Sequence, residues 1–168
     1  MSSGKEELME KCELERIYNK YFDTVYKVCF LYMKRHADAQ DMTQETFCQL
    51  INKPFLYESD EKTKAWLIVS ASNICKNHLK KWWVKKSVSF EDTIMEKRSI
   101  DETTSDAERA NEVYRTVMGL DQKYALPTYL YYYEGYKTSE IACMLKTTPS
   151  TVQTRLAKAR KLLRMEFE

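Results

Sequence analysis

The stretch GYKTSEIACMLKTTPSTVQTRLAKARKLLR, residues 135–164, decides the fold. It reads as two short helices joined by a tight turn. Ile141, Ala142 and Leu145 fall on one side at helical spacing, and Val152, Leu156, Ala159 and Leu163 recur at steps of four, three and four. Each helix therefore has one face to bury, and the pair reads as a helix-turn-helix. Thr148 followed by Pro149 marks the start of the second helix, because the hydroxyl can accept from an orphan N–H while the proline gives up a donor that had no partner. That register leaves Ser150, Thr151, Gln153 and Thr154 outside at the front, with Arg155, Lys158 and Lys161 further along. Short hydrogen-bonding side chains lead and cations follow. This order suits a recognition helix whose first turns meet base edges in a major groove while later cations meet phosphates. An ordinary amphipathic C-terminal helix with a solvated basic face carries the same pattern.

Working outward, 168 residues suit one ordinary domain or two small ones, and 43% hydrophobic content is enough for a packed core. Three glycines and three prolines argue against a turn-rich all-β fold, so the expected class is all-α. No run of 18 apolar residues occurs, and the opening MSSGKEELMEK lacks the apolar stretch of a signal peptide. A soluble, cytoplasmic chain without membrane insertion is expected. Cys12, Cys29, Cys48, Cys75 and Cys143 are scattered and form no C-x-x-C pair, so they read as reduced residues, mostly at core or boundary positions.

Net charge is only +2, but the charges are segregated. Residues 66–90 carry five bases and no acid, 91–112 carry eight acids against three bases, and 113–168 carry nine bases against five acids. The acidic span EDTIMEKRSIDETTSDAERANE has no large apolar periodicity before Val113, as expected of a solvated linker. The chain thus divides into two small helical domains, 1–87 and 109–168, joined by an acidic flexible linker over 88–108.

The first domain opens on a helical pattern of Leu14, Ile17, Tyr18, Tyr21, Phe22, Val25, Tyr26, Val28, Cys29, Tyr32 and Met33, which makes one long helix or two joined ones. In the next helix Ala39, Met42, Thr46, Phe47 and Leu50 face inward, leaving Asp38, Asp41, Gln44 and Glu45 outside in a stretch without Lys or Arg from Ala37 to Asn52. This face is either simply solvated or a docking face for a basic partner. After a loop expected over Lys53 to Lys64, Leu67, Ala71, Ile74, Cys75, Leu79 and Trp82 form an inward stripe. Asn73, Lys76, Asn77 and Lys80 then align outside at i, i+3, i+4 and i+7. Lysines there attract phosphate, asparagines can bond exposed base edges, and neighbouring aromatics can stack on unpaired bases; a plain basic face is the competing reading.

In the second domain Val113, Val117, Leu120, Leu126 and Leu130 lead into Tyr129, Tyr131, Tyr132, Tyr133 and Tyr136, an aromatic cluster expected to pack around the helix-turn-helix. Pro127 cannot donate to the carbonyl of Lys123, which predicts a kink or an early restart there. Catalysis has little to stand on: the chain has two histidines, no phosphate-binding glycine loop, no H-E-x-x-H and no nucleophile in a recognisable motif. A non-enzyme that needs no cofactor or metal is expected.

The residues EGYKTSEIACMLKTTPSTVQTRLAKARKLLR resemble the C-terminal DNA-reading domain of bacterial RNA polymerase sigma factors, in particular the small extracytoplasmic-function group, whose pattern is E-G-x-S-x-x-E-I-A-x-x-L-G-x-S-x-x-T-V-x-x-R-L-x-R-A-R-x-x-L. Lys137 stands where the family has its capping Ser, so the first helix is expected to start from Thr138, one residue later. Lys146 stands in place of the Gly of the turn. The segment DAQDMTQETF is similar to the family's D-A-E-D-V-V-Q-E-T-F, which grips the clamp helices of the polymerase. AWL followed by NICKNHL is similar to A-W-L…N-x-x-K-N-Y-L, which holds open the minus-10 element, with His78 in place of Tyr.

The resemblance implies a sigma factor that binds core RNA polymerase at its clamp helices and flap and directs promoter recognition and melting. It gives Asp38, Asp41, Gln44 and Glu45 to polymerase and Asn73, Lys76, Asn77 and Lys80 to minus-10 DNA. Ser150, Thr151, Gln153, Thr154, Arg155 and Lys158 fall to minus-35 DNA. Whether an anti-sigma factor holds the chain silent is not written in the sequence. The alternative is a helix-turn-helix regulator that binds promoter DNA without the polymerase core.

Overall fold

The computed structural model describes residues 3–53, 59–88 and 112–167, and among them every regular element is a helix. In chain order these are α1 (Ser3–Met33), α2 (His36–Ile51), α3 (Asp60–Val88), α4 (Glu112–Gly119), α5 (Gln122–Tyr132), α6 (Thr138–Met144) and α7 (Pro149–Phe167). Helices α1–α3 pack on one another, as do α4–α7, giving two compact units. Of the expected linker only Val88 is described, as the last residue of α3; the rest lies outside the described residues. No helix among the described residues is long and apolar enough to cross a membrane.

The first unit buries the apolar positions of α1 as their spacing requires, from Ile17 through Tyr21, Val25 and Val28 to Met33, and α1 is one unbroken helix. Phe30 and Leu31, absent from the period, are buried too. Every residue from Val28 to Met33 is buried, so the end of α1 is enclosed on all sides by its neighbours. The chain leaves α1 through Lys34 in the left-handed region, φ 60°, whose N–H donates to the Phe30 carbonyl at 2.9 Å. In α2 the inward set Ala39, Met42, Thr46, Phe47 and Leu50 is buried, and Thr43 joins it. Both threonines satisfy their hydroxyls within the helix, on the carbonyls of Ala39 at 2.7 Å and Met42 at 2.8 Å.

The loop expected over Lys53 to Lys64 is shorter than that. Helix α3 already begins at Asp60, with the Ser59 carbonyl accepting from the Thr63 N–H at 2.9 Å and acids Asp60 and Glu61 in the first turn favouring the dipole. Asp60 also ties α3 to α1. Arg16 reaches both its oxygens, at 2.8 and 3.2 Å, Lys20 donates at 2.6 Å, and the Tyr21 hydroxyl donates to the Asp60 carbonyl at 3.2 Å. The hydrogen bonds from Arg16, then Lys20, hold the Asp60 carboxyl well below the usual carboxylate range.

A carboxyl whose folded pKa lies below its unfolded value contributes stability that is fully present above about pH 4 and is lost as pH falls further. The urea midpoint of the first unit is therefore expected to fall below pH 4 by more in the native chain than in Asp60→Asn. High salt should narrow the difference, because the cluster is solvent-exposed. Equal acid profiles for the two proteins would remove Asp60 as the acid-sensitive tie.

Fully buried Cys29 and Cys75 lie thiol to thiol in the first unit's core, and the hydrogen bond with Cys29, together with burial, pushes the Cys75 thiol up. Cys12, Cys48 and Cys143 are exposed, against the core or boundary placement expected for most of the five.

In the second unit Asp121 caps α5, accepting from the Lys123 N–H at 3.0 Å. Helix α5 runs unbroken through Pro127, so no restart occurs; the bond that the proline removes is to Lys123, only the second residue of the helix. Tyr129 is buried as expected, but Tyr131, Tyr132 and Tyr133 are 39%, 53% and 41% exposed, and Val113 is exposed as well. The tyrosine cluster is therefore mostly a surface: α5 is buried on every side from Ala125 to Leu130, and that burial ends with the last turn, where Tyr131, Tyr132 and Tyr133 stand. Gly135, at φ 76°, turns the chain toward α6.

Helix α6 begins at Thr138 as expected, with Lys137 in extended backbone at the cap position. The lysine ammonium offers no acceptor to the first turn. The Glu140 carboxylate instead accepts from the Lys137 N–H at 2.8 Å, so one half of a capping box forms.

The turn that follows is a Schellman motif: the Thr147 N–H donates to the Ala142 carbonyl at 2.9 Å and the Lys146 N–H to the Cys143 carbonyl at 3.3 Å. Lys146 sits in its left-handed position, φ 53°. A side chain there is opposed by roughly 1–2 kcal/mol of steric strain. Lys146→Gly is therefore expected to raise the thermal midpoint of the second unit, by the equivalent of about 1 kcal/mol at most, because glycine also adds unfolded-state entropy. Circular dichroism melting checks it, and a fall in midpoint would overturn the strain assigned to this turn.

Candidate nucleic-acid and protein interfaces

Three outward stripes carry the residues singled out by sequence. On α2, Asp41, Gln44 and Glu45 are exposed and Asp38 is half-buried in the first turn, where the dipole favours it. Among the described residues no cation pairs with Asp38, Asp41 or Glu45. Gln44 donates to the Tyr18 hydroxyl at 3.1 Å, and Tyr18 meets Phe22 and the buried Phe47 at ring distances of 5.3 and 4.8 Å. The acidic stripe is thus bordered by aromatic surface from α1, a neighbour that the spacing within α2 could not reveal.

On α3, Asn73, Lys76, Asn77 and Lys80 are all exposed, as is His78. Their amides and ammonium groups make no hydrogen bond within the described residues, so they are available to a ligand. Leu79 and Trp82 are half-buried, whereas Trp83 and Val84 are 58% and 65% exposed just beyond Lys80. The two indoles meet edge to face at 5.3 Å. Exposed indole next to Lys80, Lys81 and Lys85 extends this stripe toward the end of the helix.

On α7 the expected front set divides. Thr148 caps the helix, its hydroxyl accepting from the Thr151 N–H at 3.2 Å, and Pro149 is the first helical residue. Ser150, Gln153, Thr154 and Lys158 are exposed. Thr151 and Arg155 are half-buried instead of fully outside, because the Thr151 hydroxyl turns back to Thr148 at 2.9 Å and the Arg155 Nε is buried without a partner among the described residues. The Thr154 hydroxyl donates to the Ser150 carbonyl at 3.0 Å, leaving its lone pairs outward.

Two small helical units, one with acidic and basic stripes on separate helices and one with a helix-turn-helix, agree with two family profiles in order. Residues 17–84 match Sigma-70 region 2, and residues 110–163 match Sigma-70, region 4. The chain belongs to the sigma-70 family of RNA polymerase sigma factors. Within it the extracytoplasmic-function group is indicated by relatives matched over most of their length. RNA polymerase sigma factor SigV of Bacillus subtilis is 26% identical over 142 residues, covering 84% of this chain and 83% of that protein. ECF RNA polymerase sigma factor SigW of the same organism is 22% identical over 162 residues, covering 90% and 87%. The fold is shared with the sigma factor RpoE of Bartonella quintana, solved in complex with the anti-sigma factor NepR, at TM-score 0.75 and 16% identity over 90% of this chain and 94% of that one. All three stripes of this sigma factor lie within the matched regions.

Proposed function

We propose a division of labour for this sigma factor, which binds core RNA polymerase and directs transcription initiation at promoter DNA. The α2 stripe of Asp38, Asp41, Gln44 and Glu45 docks on a basic surface of the polymerase clamp helices. The α3 stripe of Asn73, Lys76, Asn77 and Lys80 engages the opened minus-10 element: lysines attract its phosphates, asparagines bond base edges and the exposed Trp83 stacks on an unpaired base. The front of α7, with Ser150, Thr151, Gln153, Thr154, Arg155 and Lys158, enters the major groove at the minus-35 element. The exposed tyrosines of α5 offer the polymerase flap an aromatic surface.

The single observation that carries this reading is that acidic and basic stripes, whose charged groups have no ion-pair partner among the described residues, occupy different helices of one three-helix unit. One unit can then hold polymerase and melted DNA at once. The polymerase supplies the chemistry, so we read the chain as a non-enzyme needing no cofactor, acting in the cytoplasm where its partners are. An inhibitor of the kind bound to the Bartonella protein would act by covering these stripes.

Run-off transcription with purified core enzyme on a library of genomic promoter fragments tests the reading. Discrete transcripts that require both the chain and the core are expected. Duplex binding by the chain without any core-dependent transcript would favour a regulator acting alone.

A further inference from the structure

On the outward side of α2 one neutral group interrupts a row of acids. Asp38, Asp41 and Glu45 carry carboxylates, and the exposed Gln44 stands among them with an amide that has an acceptor end and a donor end. The donor end is engaged: Gln44 Nε2 donates to the Tyr18 hydroxyl of α1 at 3.1 Å. The tyrosine ring is held in place by contacts other than this one. It meets the buried Phe47 edge to face at 4.8 Å and Phe22, one turn along α1, at 5.3 Å. Gln44 and Phe47 are three residues apart on α2 and so are neighbours on its surface, which is why one tyrosine reaches both.

This tether decides which end of the amide faces outward. With its nitrogen drawn toward α1, Gln44 leaves its carbonyl oxygen to the open side of the row, and the stripe from Asp38 to Glu45 becomes a run of acceptors. Lysine and arginine side chains are donors only, so a partner surface built of them is met by every group in the row. Turned round, the same amide would set its N–H donors against a cation. A free glutamine also has side-chain torsions to freeze on docking, and the tether fixes them beforehand.

We infer that Tyr18 is a positioning residue of the polymerase-docking face: its hydroxyl orients the Gln44 amide so that α2 presents an unbroken row of acceptors to a cationic, donor-only surface. The inference rests on the proposed reading of α2 as the docking helix. Tyr18 acts through Gln44 and not through a contact of its own with the partner.

The test measures binding of the full chain to purified core polymerase across a salt series, together with the urea midpoint of the first unit, for the parent, Tyr18→Phe, Gln44→Ala and the double variant. Tyr18→Phe keeps the ring and its contacts with Phe22 and Phe47, and the amide it releases is exposed to water, so the midpoint should stay at the parent's. Core affinity should fall about 2- to 12-fold, the cost of freezing one long side chain at an interface. No charge is altered, so the fall should be the same at every salt concentration, unlike that of Asp41→Lys. Gln44→Ala should weaken docking at least as much, and in its background Tyr18→Phe should add nothing.

Parental affinity in Tyr18→Phe would overturn the positioning role alone. So would an equal loss in the Gln44→Ala background, which would make the hydroxyl a contact of its own, and so would a midpoint that falls along with affinity, which would assign the hydroxyl to the fold. Absence of core binding by the parent, or parental binding by both Asp41→Lys and Glu45→Lys, would overturn the docking reading of α2 with it.

Discussion

Leu67→Ala is expected to destabilise the first unit by about 2–5 kcal/mol, because Leu67 is completely buried on α3 and truncation removes both its transfer free energy and the packing around the void. Native domains are stable by only about 5–15 kcal/mol, and units of this size fall toward the lower end. From about 5 kcal/mol the change leaves about 0–3 kcal/mol, so the urea midpoint of the first unit should fall steeply. Ile51→Ala, at a site 55% exposed, should stay within about 0.5 kcal/mol of the parent. The contrast is measurable in the intact chain, because all three tryptophans, Trp66, Trp82 and Trp83, lie on α3. Urea unfolding followed by indole fluorescence thus reports the first unit by itself. A Leu67→Ala midpoint equal to that of Ile51→Ala would overturn the placement of the core between α1, α2 and α3.

What could be read from the chain alone follows from how local each cause is. The helix-turn-helix was legible because its period, its Thr148–Pro149 start and its inward residues all act within a few positions of one another, and Val152, Leu156 and Ala159 are buried accordingly. The beginning of α3 was missed although Ser59, Asp60 and Glu61 give a start signal, because the tie that fixes it comes from Arg16 and Lys20, some forty residues away in sequence. Phe30 and Leu31 break the period of α1 because the burial of its last turn is decided by two other helices.

The same limit holds at the site. The outward position of Asn73, Lys76, Asn77 and Lys80 is a property of α3's own repeat. The Tyr18–Gln44 hydrogen bond and the half-burial of Arg155 depend on neighbouring helices. Tyr131, Tyr132 and Tyr133 were misplaced for a related reason: aromatic content says that area is to be covered, but not whether the cover is this chain or a partner.

The acidic face of α2 is where a change of one charge separates fold from function most widely. Asp41 and Glu45 are exposed one turn apart, repel each other by a few tenths of a kcal/mol and have no cation of their own among the described residues. Glu45→Lys replaces that repulsion by an attractive pair with the acid on the N-terminal side, the better orientation, so the indole-monitored urea midpoint should hold or rise slightly. Asp41→Lys makes the pair in the weaker orientation and should leave the midpoint near the parent's.

Docking responds in the opposite direction. Against a basic surface of the polymerase clamp either lysine brings like charges together across an interface, and such a juxtaposition costs several kcal/mol, most at low salt where screening is least. Both variants are therefore expected to fold as well as the parent yet fail to co-purify with core polymerase, while duplex binding by the full chain is unchanged, because α7 belongs to the other unit. A solvated face without a partner would give the stability gain of Glu45→Lys and nothing else. Retention of polymerase by both variants at parental levels would therefore overturn the docking role of α2.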